Sequence, residues 1–238
     1  MSKEPLSLRD ISTTPLHWPD SCRLLPSRYP PVLLFDAVAD PADLEVVFAI
    51  ESLGNPRLRE LAGELSLVPQ AQRLSGPGSS PIMAAFTHLN PEGSRFSDGS
   101  YGVYYAAREL DTAVAEVSHH RSLFLARTSE PAIDVDLRCY RVSIAADLHE
   151  LRGARTPELL ALLDPQSYAH SRPFAADLRA AGSAGLVYDS VRHTGGQCVA
   201  LFNPQATRPP ARQGEHVTLR WNGERISEWY LKSELHQL

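Results

Sequence analysis

Four side chains of complementary chemistry stand at separated points of this chain: a guanidinium at Arg95, a phenol at Tyr105, a carboxylate at Glu116 and a hydroxyl at Ser190. Arg95 lies in Ser94-Arg95-Phe96-Ser97-Asp98-Gly99-Ser100, a run of small turn-forming residues whose backbone N–H groups can converge on an anion. Glu116 adjoins an apolar helical stripe four residues before His120, at a boundary where an idle charge is costly. Each residue also has a purely structural explanation. Arg95 can pin its loop through a carboxylate, Tyr104 and Tyr105 can fill a sheet, and Glu116 with His120 can form a solvated pair of little energetic value.

Ser190 stands at a strand end with an ordinary turn-forming explanation, and no Gly-x-Ser-x-Gly elbow surrounds it, so it is not read as a hydrolase nucleophile. Adjacent His119 and His120 point in different directions on a helix and do not make a metal site. No glycine-rich nucleotide loop of the Gly-x-Gly-x-x-Gly or Gly-Lys-Ser/Thr type follows a strand.

The elements that must position these groups are legible around them. Tyr101 to Ala106 is aromatic and β-branched, with Val103 and Tyr105 on one side and Tyr104 on the other, and reads as a strand. From Leu110 the period becomes helical through Ala113, Val114 and Val117. Leu186-Val187-Tyr188 and Cys198 to Phe202 read as two core strands meeting at Ser190.

Arg95 in SRFS, Tyr105 in YGVYYAA, Glu116 in TAVAEVSHH and Ser190 in GLVYDSVRH occur in the order and spacing of the RES domain, which this chain resembles from about Pro81 to Asn203. The resemblance implies a toxin of a bacterial toxin–antitoxin pair, an α+β fold similar to ADP-ribosyltransferases with a mixed β core and flanking helices, consumption of NAD⁺, and an Xre-like DNA-binding antitoxin as partner. Many relatives carry a second arginine on the strand before the loop, where this chain reads Ala85-Phe86-Thr87-His88.

On that resemblance Glu116 binds the nicotinamide-ribose hydroxyls and stabilises the oxocarbenium-like charge that develops as the nicotinamide bond breaks. Arg95 grips the diphosphate, Tyr105 stacks on nicotinamide or ribose, and Ser190 positions phosphate or carboxamide. His120, Arg192, His88 and Thr87 are the further candidates for the NAD⁺ site, with no metal. The ADP-ribose acceptor is expected to be a target protein, in the manner of the ParT-like branch, with phosphate and water as alternatives. A non-enzymatic nucleotide-binding module is the competing class.

The 238 residues carry a net charge of -5 and a pI near 6.0, which argues against broad attachment to nucleic acid. Three dispersed cysteines, Cys22, Cys139 and Cys198, fit the cytoplasm better than a disulfide framework. The N-terminus lacks a signal-peptide core, and no apolar run is long enough for a membrane.

Residues 1–80 are expected to form an arm and a helical extension, and residues 81–238 the catalytic domain. Met1 to about Pro31 reads as a surface arm with Arg23 and Arg28 solvated, followed by an α-hairpin starting at Asp40-Pro41 and Asn55-Pro56. Ile82 to His88 reads as the first core strand, delivering Thr87 and His88 to the site. Ala132 to Ile144 reads as one strand or two, Thr156-Pro157-Glu158 and Ser171 to Ala181 as helices, and Asn222-Gly223 as the turn of a closing hairpin.

Overall fold

Alternating apolar residues from Ile133 to Ile144 form a single strand, β3 (Ile133–Glu150), 18 residues long. The interruption at Arg138-Cys139 is taken up by register shifts between Arg138 and Tyr140 and between Arg141 and Ser143, and bulges of this kind bend a strand without ending it. The computed structural model describes residues 11–27, 35–36, 44 and 63–232.

β3 organises the sheet because it has different neighbours along its two edges. One edge takes β1 (Thr13–Pro26) antiparallel, from Thr13 opposite His149 to Pro26 opposite Leu137. The other takes β6 (Thr207–Trp221) and then, at His149 and Glu150, β4 (Gly185–Asp189) in parallel. With β2 (Tyr104–Ala107), β5 (Gln197–Leu201) and β7 (Ile226–Leu231), the described residues form a seven-stranded sheet of order β1-β2-β5-β4-β3-β6-β7, and the β1–β3 pairing curls it back on itself. β1 and β2 meet at one pair only, Cys22 opposite Ala107, so the ring is barely closed there.

The helices described over their full length are α1 (Ser80–Thr87), α2 (Leu110–Leu125), α3 (Pro157–Leu162) and α4 (Ser171–Ala180). The whole is the mixed α+β architecture expected. Period-two alternation sends Leu186, Tyr188, Cys198 and Ala200 into the core shared with α2 and α4, and Val187, Val199 and Leu201 into the core shared with α1. Thr156 caps α3 by accepting the Leu159 N–H, and Asn222 closes the β6–β7 loop by accepting the N–H groups of Glu224 and Arg225.

Three expectations are corrected. Thr13 to Pro26 is no surface arm but a central strand. Its bulge between Trp18 and Ser21 accommodates Pro19, and it switches the strand's phase, so that Leu16 and Trp18 enter one core and Cys22 and Leu24 the other. Arg23 is accordingly not solvated.

Ile82 to His88 is not a strand but α1 with its C-cap. Pro81 sits in the first turn, and the carboxylate of Asp36 accepts the N–H groups of Gly78 and Ser80 at 2.7 and 2.8 Å. The expected α-hairpin lies almost entirely outside the described residues, where Leu44 is helical and buried; Arg28 is likewise outside them.

Candidate active site

Above the thin β1–β2 junction lies a cleft of about 860 Å³ walled by β1, β2, the arginine loop and α2. α2 faces it because Leu110, Ala113, Val114 and Val117 turn one side of the helix onto the sheet, which leaves Glu116 and His120 along the edge of that stripe.

The arginine loop is held from both ends. The Tyr105 hydroxyl bonds Ser94 Oγ at 2.7 Å and accepts the Phe96 N–H at 3.0 Å, tying the loop to β2. Burial raises the Tyr105 phenol well above its ordinary range, so it stays neutral. The loop folds tightly at Gly93 (φ +72), where a Cβ would come within 2.5 Å of Ser97 O. On the other side, buried Ser171 on α4 donates to Arg95 O at 2.6 Å, and Arg172 donates to Ser94 O and Glu92 O at 3.0 and 2.8 Å.

Arg95 itself is 7% exposed. Its Nη1 donates to Asp164 O at 2.6 Å and its guanidinium lies 4.9 Å from the Tyr168 ring centroid. Among the described residues its Nε and Nη2 have no partner, and the side chain lines the cleft. Among the described residues, backbone carbonyls and not a carboxylate orient this cation.

Glu116 pairs with Ser190 rather than with His120: Ser190 Oγ donates to Glu116 Oε1 at 2.6 Å. The same Oγ accepts the N–H groups of Arg192 and His193 at 3.1 and 3.0 Å, so the turn after β4 fixes the hydroxyl that fixes the carboxylate. His120 lines the cleft, and desolvation, with the charges of Arg192 and Arg95, lowers its basicity below the ordinary histidine value.

The structure thus brings Arg95, Tyr105, Glu116 and His120 to one cleft and joins Ser190 to it through Glu116. Three other predicted residues are elsewhere. Thr87 is buried in α1, donating to Met83 O. His88 is exposed at that helix's end, beside Ala84 O, because the segment is helical. Arg192 donates to Pro165 O at 2.5 Å and does not line the cleft.

Sequence reading missed Arg23, Arg172 and Tyr168. Arg23 reaches the cleft from β1, where its Nη1 donates to Tyr105 O at 2.9 Å, its guanidinium lies 4.8 Å from the Tyr104 ring centroid, and its buried Nε has no hydrogen-bond partner among the described residues. Desolvation lowers its pKa from the ordinary arginine value. The cleft therefore has a second guanidinium from the N-terminal strand, although the segment before the arginine loop carries none.

The RES domain matches residues 70–222, and the chain belongs to this family. It is 31% identical over 210 residues to the uncharacterized protein y4oC of Sinorhizobium fredii (strain NBRC 101917 / NGR234), covering 87% of this chain and 85% of that protein. The crystal structure of the M. tuberculosis MbcT-MbcA toxin-antitoxin complex is similar with a TM-score of 0.44 at 12% identity, over 87% of this chain and 86% of the other. No helix among the described residues is long and apolar enough to cross a membrane.

Proposed function

We propose that this protein is the NAD⁺-consuming toxin of a type II toxin–antitoxin pair, cleaving the nicotinamide–ribose bond and transferring ADP-ribose to a target protein. The observation that carries the reading is the Ser190-oriented carboxylate of Glu116 in the same cleft as Arg95 and Tyr105. Membership of the RES domain family supports it.

The electron pair of the breaking C–N bond leaves with nicotinamide, and the positive charge left on the ribose is stabilised by Glu116. The acceptor's nucleophilic oxygen or nitrogen then bonds to the ribose C1′ and gives up its proton. Arg95 and Arg23 are cations for the diphosphate, in a cleft that a protein of net charge -5 has made locally basic. Tyr105, held neutral, stacks on the nicotinamide or ribose. An Xre-like antitoxin that covers the cleft would keep such an activity in check, and co-purification of the two proteins tests that partnership.

The reaction is tested by incubating antitoxin-free protein with NAD⁺ labelled in the adenosine half and resolving the products by mass spectrometry. The expected result is released nicotinamide with ADP-ribose on protein. ADP-ribose phosphate or free ADP-ribose would reassign the acceptor to phosphate or water. Glu116→Gln should lower turnover on the order of 100-fold or more. Equal nicotinamide release by the variant, or none by the wild type, would overturn the assignment, the latter favouring a binding module.

A further inference from the structure

α2 lines the cleft well beyond Glu116: His120, Leu123, Phe124 and, just past the helix end, Arg127 share the same wall. These positions fall at i+4, i+7, i+8 and i+11 from Glu116, on one helical face. At about 1.5 Å per residue, His120 lies roughly 6 Å and Phe124 roughly 12 Å along the axis from Glu116. The chemistry changes along this ruler. A carboxylate comes first, then His120, which feels the charge of Arg95, then two large apolar side chains that are 48% (Leu123) and 52% (Phe124) exposed.

Single exposed apolar residues need no explanation, but this pair stands at the mouth of a charged cleft and is continuous with it. The two walls are joined at this end, because Arg127 Nη1 donates to both carboxylate oxygens of Glu92 in the arginine loop at 3.1 Å. The walls of the cleft thus hold a carboxylate, the guanidinium groups of Arg95 and Arg23 and an apolar platform, and the cleft is bridged beyond the platform. These three kinds of group suit ribose, diphosphate and base in a dinucleotide, and the helix sets the carboxylate and the platform about 12 Å apart.

We infer that Leu123 and Phe124 form the subsite for the purine base at the far end of the dinucleotide, with the base stacked on Phe124. The inference rests on the proposed NAD⁺ chemistry at Glu116, because that assignment fixes which end of the ligand lies 12 Å away. A mononucleotide anchored at Glu116 would not reach the platform. Base-on-aromatic stacking is strong enough for its loss to be read as on the order of 10-fold in affinity.

The test compares NAD⁺ with nicotinamide mononucleotide, which keeps the scissile bond and lacks the adenosine, in wild type, Phe124→Ala, Leu123→Ala and Phe124→Trp. Phe124→Ala should raise KM for NAD⁺ about 10-fold at little-changed kcat, while kcat/KM for the mononucleotide serves as the internal control and stays level. Phe124→Trp should restore NAD⁺ use, and ADP should quench its added indole fluorescence relative to wild type. Unchanged KM for NAD⁺ in Phe124→Ala, or equal losses on both substrates, overturns the subsite.

Nucleotide kinetics intact but antitoxin binding weakened would make the platform a protein contact, and also overturns it. If no form of the protein releases nicotinamide, the proposed reaction fails. The fluorescence arm then decides the subsite alone: quenching by ADP supports it, and no quenching at millimolar ADP overturns it.

Discussion

Ser190 Oγ and Glu116 Oε1 lie 2.6 Å apart although the two residues are 74 positions apart in sequence, and the serine is held by two N–H groups of its own turn. A hydrogen bond to a carboxylate of this kind contributes about 1.5–3 kcal/mol. Ser190→Ala should therefore lower kcat roughly 10-fold or more with little change in KM for NAD⁺. Steady-state nicotinamide release checks it; a KM effect without a kcat effect would place Ser190 against the ligand instead of behind the carboxylate.

The Tyr105 hydroxyl is the stitch between β2 and the arginine loop. Tyr105→Phe leaves the ring but orphans the Phe96 N–H and Ser94 Oγ, which should cost about 1–3 kcal/mol of stability. Denaturant unfolding measures this directly. An unchanged midpoint would show that the loop holds itself through Arg172 and Ser171.

Burial raises the phenol of Tyr101 to about 12 and lifts those of Tyr104, Tyr105 and Tyr188 well above the ordinary tyrosine value. In the unfolded chain a tyrosine ionises near pH 10, so above that pH the unfolded state binds fewer protons than the native one, and the slope of unfolding free energy with pH is negative. Stability from these groups is complete below about pH 10 and drains away above it. Thermal melts between pH 8 and 12 should fall steeply past pH 10 in the wild type and less steeply in Tyr101→Phe.

Arg23 is a buried cation whose Nε lacks a partner among the described residues, and replacing such a charge with an apolar residue of similar volume is often neutral or stabilising. Arg23→Met should leave the melting temperature near that of wild type while raising KM for NAD⁺ about 10-fold, the loss expected for a charge-assisted phosphate contact. A lower melting temperature with unchanged KM would identify Arg23 as a strut for β2 alone.

Much of the cleft was legible because its residues lie in segments whose local pattern agrees with their final structure. Leu110, Ala113, Val114 and Val117 have helical spacing and form a helix; Leu186 to Tyr188 and Cys198 to Leu201 alternate and form strands. α1 was misread because a short apolar run such as Ile82 to Phe86 is ambiguous in period, and the acid that organises its start, Asp36, is distant in sequence. β1 was missed for a different reason. Its prolines suggest a loop, and the bulge at Pro19 changes the phase of the alternation midway, so Arg23 had no readable partner on either side.

The position of β1 bears on where this protein can be cut. The family match begins at residue 70, yet the strand that borders β3 from Leu137 to His149 and supplies Arg23 ends at Pro26. A fragment trimmed to the matched region would bare hydrogen-bonding groups along β3 and expose the apolar surface now beneath Trp18 and Leu24, an invitation to self-association. Supplying residues 1–69 in trans to a fragment of residues 70–238 should recover solubility and nucleotide turnover together, since one ribbon provides both the missing backbone partners and the missing guanidinium.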